Sequence, residues 1–409
     1  MTSDPAFVWV WLPSCSTPVV AGRVDADGDD LVFTYGRSYL SRADAIALQH
    51  ETLPLRAGQQ RPPLGLSAHG AIRDAAPDSW GQQVVLRRQV GVPAKDTNEL
   101  SLLTYLLASG SNRVGALDFQ TTHDRFVHRV THGTLDELVE AGDRLVRGLP
   151  FSPELDDALT YGSAIGGARP KALIAEGSRE MIAKFSVSTD VFPWMQAEAV
   201  GMELARRCGV TVAPTRLIAA AGKDVLLVDR FDRPGVGTRR MVLSGLTLLG
   251  LDENAARYGT YTDLAGLIRL RFVEPTRTLH ELFRRIVLNV LLGNTDDHPR
   301  NHAAFWDGAH LELTPAFDVC PQPRSTGEAS LVMAFGGDGE RRARLDACVR
   351  SAAWYGLSPT EASAIVDECT AIVTDQFDEV CSSVGASEAT RDLLWERAVR
   401  NPSIFYDAD

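Results

Sequence analysis

The sequence predicts an α+β protein in which a β-rich part of the chain precedes a helical part. Short apolar runs separated by turn residues dominate residues 7–40 and 170–233, as is typical of strands. Beyond residue 244 apolar residues recur at helical spacing instead. The Asp27-Gly28 pair predicts a β-hairpin. The run LHELFRRIVLNVLLG predicts a helix with one apolar face, which ends at Gly293.

Length and composition limit the possible function classes. The 409 residues suffice for two or three domains, and 44% hydrophobic with 23% charged residues is typical of globular proteins. A net charge of −12 argues against general electrostatic binding of nucleic acid by the chain alone. Six cysteines without CxxC spacing indicate free thiols. No apolar run of about 18 residues and no signal-peptide pattern is evident, so we expect a cytoplasmic protein without a membrane contact.

The chain is predicted to divide into three parts. Residues 1–145 form a small α+β module. The joint that follows is expected within GLPFSPELDDALTYGS, residues 148–163, which is rich in Pro, Gly and Asp. Residues 146–235 alternate strands with one helix, and residues 236–409 are helical.

Local signals place several features within these parts. Asp78 and Ser79 predict the beginning of a helix, because both side chains are good N-caps. A hairpin is expected across residues 222–224 (Gly-Lys-Asp). Trp354 and Trp395 are expected in the core of the helical part.

A glycine-rich turn in SAIGGARPKALI offers a site for phosphate groups. Gly166, Gly167 and Ala168 would let backbone N–H groups approach a triphosphate closely. Lys171 lies on the strand that follows and could also reach a phosphate. An ordinary hairpin turn has the same pattern, and this alternative stays open.

Two further segments could complete a nucleotide site. Lys184 lies in the apolar strand MIAKF, and Glu198 on the next helix is a plausible partner that would hold it against the phosphates, as in kinases. A lysine that reaches solvent beside an exposed glutamate is the alternative. In VLLVDRFDRP the backbone at Asp229 and Phe231 could pair with an adenine edge, and Asp232 could accept from ribose hydroxyls. A strand end with a surface ion pair is the simpler reading of that segment.

The stretch GNTDDHPRN is the most specific motif. Asp296 and Asn301 have the spacing of the Asp-x-x-x-x-Asn catalytic loop of kinases. Asp296 would accept the proton of a substrate hydroxyl, and the Asn301 amide oxygen would bind a metal ion. Asp318 in the later segment PAFDV would be a second metal ligand. Oxygen ligands of this kind suit Mg²⁺.

The histidines of this stretch open a different possibility. His298 and His302 are four positions apart, the spacing of a zinc-binding pair on a helix. Pro299 between them disfavours a continuous helix. We therefore expect His298 to hold the loop by hydrogen bonds and Arg300 to offset the carboxylates, while Asp297 receives no role. A solvated polar loop is the remaining alternative.

With these motifs in this order, the sequence resembles the HipA family of bacterial serine/threonine kinases, the toxins of two-component toxin–antitoxin modules. The resemblance rests on GGARPKALI, MIAKF, LVDRFDR, GNTDDHPRNHAAF and LTPAFDV, and APDSWG is similar to the family's N-terminal domain. It implies an α+β, protein-kinase-like bilobal fold that binds ATP and Mg²⁺. The fold would have a β-rich N-lobe, an additional N-terminal subdomain and an all-helical C-lobe.

The resemblance also implies residue roles. Asp296 becomes the catalytic base, Asn301 and Asp318 the metal ligands, and Lys184 the phosphate lysine. The family's glycine-rich loop carries serines that are autophosphorylated. Ser163 is the only serine in that loop here, and a simple turn serine is the alternative.

The function implied is that of an ATP-dependent serine/threonine kinase which inhibits growth by phosphorylating a cytoplasmic protein, such as an aminoacyl-tRNA synthetase, and itself. The implied partner is a small helix-turn-helix antitoxin of the HipB type, through which the chain would meet DNA only indirectly. Two alternatives stay open. One is a kinase of a small molecule or lipid head group, and the other is an inactive ATP-binding co-repressor subunit that bridges an antitoxin and DNA.

Overall fold

The structure is a computed structural model, and it describes residues 5–90, 100–129, 133–149, 169–324 and 327–405. The chain divides into two compact units. The first comprises Met1–Thr189, Ile218–Leu243 and Phe305–Ala309, and the second comprises Asp190–Leu217, Ser244–Ala304 and His310–Asp409. The predicted boundaries after residues 145 and 235 stay predictions.

The first unit begins with a five-stranded antiparallel sheet. Its strands are β1 (Ala6–Val10), β2 (Val19–Asp27), β3 (Asp30–Tyr35), β4 (Gln59–Gln60) and β5 (Leu117–Gln120), in the order β4-β3-β2-β1-β5. The described residues around it form helices α1 (Arg37–Leu40), α2 (Gly70–Asp74), α3 (Ser79–Val90) and α4 (Leu102–Ala108). The predicted hairpin is confirmed, since Asp27 pairs with Asp30 and Gly28 takes a φ of +64° in the turn.

The same unit contains helix α5 (Leu135–Val146) and most of a four-stranded sheet. The strands are β6 (Lys171–Glu176), β7 (Arg179–Phe185), β8 (Thr215–Ala220) and β9 (Lys223–Asp229), in the order β6-β7-β9-β8. The predicted hairpin between β8 and β9 exists, but its turn lies earlier than expected. Ala221 and Gly222 form the turn, with φ values of +47° and +70°, and Lys223 already begins β9.

Helix α5 covers one face of this sheet. The shared core consists of Leu138, Val139, Ala172, Met181, Ala183, Phe185, Val225 and Leu227. Because side chains alternate between the faces of a sheet, the residues between these core positions face away from α5. Lys171 and Lys184 are such residues, and they lie directly opposite each other in the register of β6 and β7.

The second unit is mainly helical. Its helices are α6 (Trp194–Arg207), α7 (Gly245–Leu248), α8 (Tyr261–Arg271), α9 (Pro275–Leu292), α10 (Leu345–Arg350), α11 (Pro359–Val384) and α12 (Glu388–Arg397). The described chain also contains short 3-10 turns and three short strands, β10 (Met241–Ser244), β11 (Ala303–Trp306) and β12 (Leu311–Leu313), of which β10 and β11 belong partly to the first unit. The long helix α11 packs against α6, α9 and α10. Within the described ranges, every helix is too short or too polar to span a membrane.

The predicted end of α9 is confirmed, whereas the two tryptophans expected in the helical core are not buried. Gly293 ends α9 in the left-handed conformation, with a φ of +66°. Trp354 is 46% exposed and Trp395 is 40% exposed. Trp354 lies in a single 3-10 turn whose other aromatic residue, Tyr355, points into the core and donates its hydroxyl to Phe335 O at 2.6 Å. A short turn can bury only one of two adjacent rings.

A glycine sets the distance between α5 and the sheet. A Cβ atom at Gly142 would lie 2.3 Å from Cε2 and 2.7 Å from Cζ of the buried Phe185 ring. We expect Gly142→Ala to lower the free energy of unfolding by about 1–3 kcal/mol, because the ring has no space to move into. Chemical denaturation measures the change.

The matched control is Gly266→Ala in α8, where an added Cβ meets no atom within 4 Å. This variant should keep its stability or gain up to about 1 kcal/mol, since alanine is the better helix former. Equal stability of the two variants would contradict the close approach of α5 to Phe185.

Candidate active site

The loop after α9 joins the predicted catalytic residues Asp296 and Asn301 through a contact with the backbone. Asn301, at the end of a 3-10 turn, donates from its side-chain nitrogen to Asp296 O at 3.4 Å. Burial raises the pKa of the Asp296 carboxyl, and the negative charges of Asp318 and Asp297 raise it further, against the opposing effect of His298. Asp318 therefore lies close enough to Asp296 for their charges to interact.

Asp297, to which the sequence assigned no role, is the centre of this loop. Its Oδ2 atom accepts from the Asn289 side-chain nitrogen at 2.6 Å, and it also accepts from the Tyr261 hydroxyl. The His302 Nε2 atom lies 2.9 Å from the same oxygen. Asn294 in turn donates to Asn289 Oδ1 at 2.9 Å. The network joins the loop to α8 and α9.

The ionisation of this network follows from its contacts. Burial alone would raise the pKa of the Asp297 carboxyl, but the charge of His302 and the hydrogen bonds from His302 and Tyr261 hold that pKa below its ordinary value. Burial and the adjacent carboxylate raise the pKa of the Tyr261 hydroxyl well above its usual range. Asp297 is thus an ionised acceptor, and Tyr261 is a donor.

Two glycines allow the loop to pack closely. A Cβ atom at Gly245 would lie 2.5 Å from Pro299 O, and one at Gly259 would lie 2.5 Å from Pro299 Cγ. The backbone nitrogen of Gly245 also donates to His302 O at 2.6 Å. Any larger residue at these glycines would displace the turn that carries Asn301.

Asp318 has a strained backbone conformation, and hydrogen bonds hold the segment that precedes it. Its φ of +62° is uncommon for a residue other than glycine, and such strain is typical of functional sites. Two residues earlier, the nitrogen of Ala316 donates to Thr211 O at 2.7 Å, and its carbonyl accepts from the Ala213 nitrogen at 2.9 Å. These hydrogen bonds hold the chain as it enters Asp318.

Helix α6 supports the same segment from the other side. A Cβ atom at Gly201 would lie 2.3 Å from Val319 O, so only glycine allows the helix to approach this closely. Glu198, one turn earlier on α6, is buried. Glu198 and Lys184 belong to different units, and their pairing stays a prediction.

The predicted phosphate-binding residues are described in part. Gly166, Gly167, Ala168 and Ser163 lie outside the described residues. Lys171 is only 3% exposed, and its ammonium lies 3.4 Å from Asp78 Oδ2. The structure therefore gives Lys171 a carboxylate neighbour that the sequence did not indicate.

At the predicted adenine segment, Asp229 and Phe231 make local contacts. Asp229 forms an ion pair with Arg179 at 2.6 Å, the surface ion pair considered for this strand end. The Phe231 ring meets Phe305 edge to face, with 5.7 Å between the ring centres. These side-chain contacts leave the predicted use of the backbone for adenine as a prediction.

Asp232 is surrounded by hydrogen-bond donors of the protein itself. Its side chain is buried, and its Oδ1 atom accepts from Arg230 Nε at 2.9 Å. Its Oδ2 atom accepts from Arg233 at 2.9 Å and from the Gly115 nitrogen at 2.7 Å. Although burial opposes ionisation, the two arginines hold the pKa of this carboxyl well below its ordinary value. A ribose contact would require Asp232 to give up some of these bonds, so the geometry favours a structural role.

The remaining loop residues are placed as follows. His298 precedes the 3-10 turn in an extended conformation, and its charge opposes the rise in the pKa of Asp296. Arg300 donates from Nε to Glu253 Oε2 at 2.9 Å, an exposed ion pair. This contact of Arg300 is with a surface carboxylate, and its predicted effect on Asp296 stays a prediction.

Comparison with known proteins identifies the family. The model of the HipA-like C-terminal domain matches residues 163–377, and the model of the HipA N-terminal domain matches residues 12–120. The chain belongs to the HipA kinase family. The predicted catalytic loop, Asp318 and both lysines lie within the HipA-like C-terminal match, whereas Asp78 lies in the N-terminal match.

Relatives in the HipA family are distant. The protein Y4mE of Sinorhizobium fredii, which is named as a kinase, is 25% identical to this chain over 319 residues. The match covers 71% of this chain and 72% of that protein. The serine/threonine-protein kinase toxin HipA of Shewanella oneidensis is 23% identical over 141 residues, 30% of this chain and 33% of that protein.

The HipA fold extends over almost the whole chain. A chain in the solved complex of HipA, HipB and operator DNA from Shewanella oneidensis matches with a TM-score of 0.66. The match has 16% sequence identity and covers 96% of this chain and 94% of that chain. The predicted α+β, kinase-like fold class is confirmed.

Proposed function

We propose that this chain is an ATP- and Mg²⁺-dependent protein serine/threonine kinase that acts as the toxin of a HipA/HipB-like module. The observation that carries the proposal is the contact of Asn301 with Asp296 on a loop that a buried carboxylate network holds in place, beside which the charge of Asp318 raises the pKa of Asp296. Phosphoryl transfer needs little more from a protein than positioning and charge stabilisation.

Asp296 is the proposed base. Its carboxylate would accept the proton of a serine or threonine hydroxyl as the hydroxyl oxygen bonds to the transferred phosphorus and the bond to the leaving ADP oxygen breaks. The raised pKa of Asp296 improves it as a proton acceptor, because it moves toward the operating pH. Asn301, which contacts the Asp296 carbonyl, keeps the loop closed around this position.

Mg²⁺ fits the donor set. The Asp318 carboxylate and the Asn301 amide oxygen would hold it, together with waters and phosphate oxygens, as this small hard cation prefers. The negative charge of Asp318 already raises the pKa of Asp296, so the surroundings of these two carboxylates favour a cation. When bound, Mg²⁺ neutralises charge on the phosphates. Lys184, with Glu198 as its proposed partner, would contact the same phosphates.

The acceptor and partner are proposed from the family. One relative is named a serine/threonine-protein kinase toxin, and one structural match comes from a complex of HipA with HipB and operator DNA. We assign a cytoplasmic protein, such as an aminoacyl-tRNA synthetase, as substrate, autophosphorylation as a second reaction, and the cytoplasm as the place of action. A small HipB-like antitoxin would bring this chain, with its net charge of −12, to DNA.

Transfer of label from ATP tests the proposal. The purified protein is incubated with γ-labelled ATP and Mg²⁺ in a bacterial lysate, and the labelled amino acids are identified. We expect label on serine or threonine. For Asp318→Asn, the Mg²⁺ concentration that gives half-maximal transfer should rise at least about tenfold, because even indirect metal partners contribute that much to metal affinity. Asparagine is chosen since it tolerates the positive φ of this position.

Asp367→Asn is the matched control, because Asp367 is exposed on α11. It should leave the labelling unchanged. Label confined to small molecules would favour the small-molecule or lipid kinase instead. Binding of ATP without any transfer would favour the co-repressor subunit.

A further inference from the structure

The N-terminal region contacts strand β6, which begins at Lys171. Asp78 begins helix α3 and accepts from the Gly81 nitrogen on Oδ1 at 2.9 Å, as an N-cap does. Its other oxygen, Oδ2, lies 3.4 Å from the Lys171 ammonium. The Trp80 indole nitrogen donates to the carbonyl of the same lysine at 3.2 Å. Lys171 is thus held by both its side chain and its backbone.

Helix α3 has little freedom to move away from this lysine. Trp80 is buried, and it packs with Val84 and with Ala141 of α5. Helix α5 in turn packs on the sheet that contains Lys171. Helix α5 thus packs on α3 in one hydrophobic cluster and on the sheet in another, and the contact of Asp78 with Lys171 is a buried ion pair.

The charges explain why a carboxylate is needed here. Lys171 and Lys184 are direct neighbours across β6 and β7, and like charges at such positions destabilise a sheet. The side chain of Lys171 is 3% exposed and that of Asp78 is 12% exposed, so water screens their attraction only weakly. Asp78 offsets the positive charge and also fixes the direction of the Lys171 ammonium.

We propose that Asp78 is a positioning residue for the nucleotide phosphates, which it orients through Lys171, with Trp80 as the backbone anchor. An ammonium has three N–H donors, so one contact with Asp78 is compatible with another to a phosphate. The arrangement has the logic of the lysine–glutamate pair of protein kinases, with the carboxylate supplied by the N-terminal HipA domain. This inference rests on the proposed binding of ATP.

A double-mutant cycle on the full chain tests it, with Mg·ATP affinity measured by calorimetry. Asp78→Asn keeps a good N-cap and removes the charge. We expect it to weaken Mg·ATP binding about tenfold, the usual worth of one charge-assisted hydrogen bond. In the Lys171→Met background the same substitution should change the affinity less than about twofold, because the residue through which Asp78 acts is gone.

Thermal melting accompanies each titration. If Asp78→Asn does not fold, Asp78→Ser supplies an alternative N-cap and the same loss of charge. Trp80→Phe keeps the ring and removes the donor, and we expect it to weaken binding less than Asp78→Asn does. An equal loss of affinity in both Lys171 backgrounds, or an unchanged affinity for Asp78→Asn, would overturn the inference while the proposed function stands. A wild-type chain that does not bind Mg·ATP would overturn both.

Discussion

Asp296→Asn should slow phosphoryl transfer by about 10²–10⁴-fold, the usual contribution of a positioned base. Asparagine has nearly the same shape but cannot accept the hydroxyl proton. The hydrogen bond from Asn301 goes to the Asp296 carbonyl, which the substitution retains, so the loop should keep its conformation. Mg·ATP affinity and thermal stability should therefore stay close to those of the wild type. Single-turnover transfer of labelled phosphate measures the loss.

The same variant tests the growth effect. Induced expression of the wild-type chain should arrest growth, whereas expression of Asp296→Asn at the same level should not. Asp367→Asn, which makes the same change at an exposed position of α11, should be as toxic as the wild type. If Asp296→Asn and the wild type are equally toxic, the growth arrest does not depend on catalysis.

Asp297→Asn should lower the free energy of unfolding by about 1–3 kcal/mol at neutral pH, because buried donors lose part of their charged acceptor. The Oδ2 atom of Asp297 faces the Tyr261 hydroxyl, the Asn289 amide and His302. A neutral amide has one acceptor oxygen for these donors and no charge. Transfer should also become slower, because the loop that holds Asp296 loses its anchor. Chemical denaturation and the transfer assay give the two values.

The effect of Asp297 on stability should depend on pH. Its folded-state pKa is lowered, so the unfolded chain binds a proton first as the pH falls. The stabilisation is fully present above the ordinary aspartate pKa of about 4 and is lost as the pH falls through the lower folded-state value. The difference between wild type and Asp297→Asn should therefore shrink below about pH 4.

Two variants separate the charge from the hydrogen bonds. Tyr261→Phe removes one donor to Asp297 and should cost about 1 kcal/mol, with little change in its pH dependence. Asp367→Asn should leave both the stability and its pH dependence unchanged. A stability of Asp297→Asn equal to that of the wild type at neutral pH would show that the buried network does not hold the loop.

Elements with strong local signals could be predicted from the sequence. The apolar face of α9, its end at Gly293 and the turn at Gly28 depend on residues close in the chain, and the structure has all three. The expected burial of Trp354 and Trp395 was wrong, because burial depends on which side of an element meets another element. The sequence of a single turn does not contain that information.

In the candidate site, too, local spacing could be predicted from the sequence, whereas contacts between elements could not. The spacing of Asp296 and Asn301 is local, and it was sufficient to predict that the two residues meet in one loop. Two partners of Asp297, Tyr261 and Asn289, come from α8 and α9, so its role could not be predicted from the loop sequence. One signal was available, since Asn289 interrupts the apolar face of α9 and a buried amide requires a hydrogen-bonding partner.

The sequence by itself determined the fold class, the order of the motifs, the family and the identity of the proposed base and metal ligands. These depend on periodicity and on short spacings, because the backbone geometry of a single helix, strand or turn fixes which nearby residues lie close together. Only the tertiary structure decided that Asp297 is the anchor of the loop, that Asp232 is occupied by arginines, and that Asp78 reaches Lys171. The contacts of Asp297 with Tyr261, of Asp232 with the Gly115 nitrogen and of Asp78 with Lys171 join residues distant in the chain. Burial makes an unpaired charge costly, so the partners of each buried carboxylate decide whether it stays ionised.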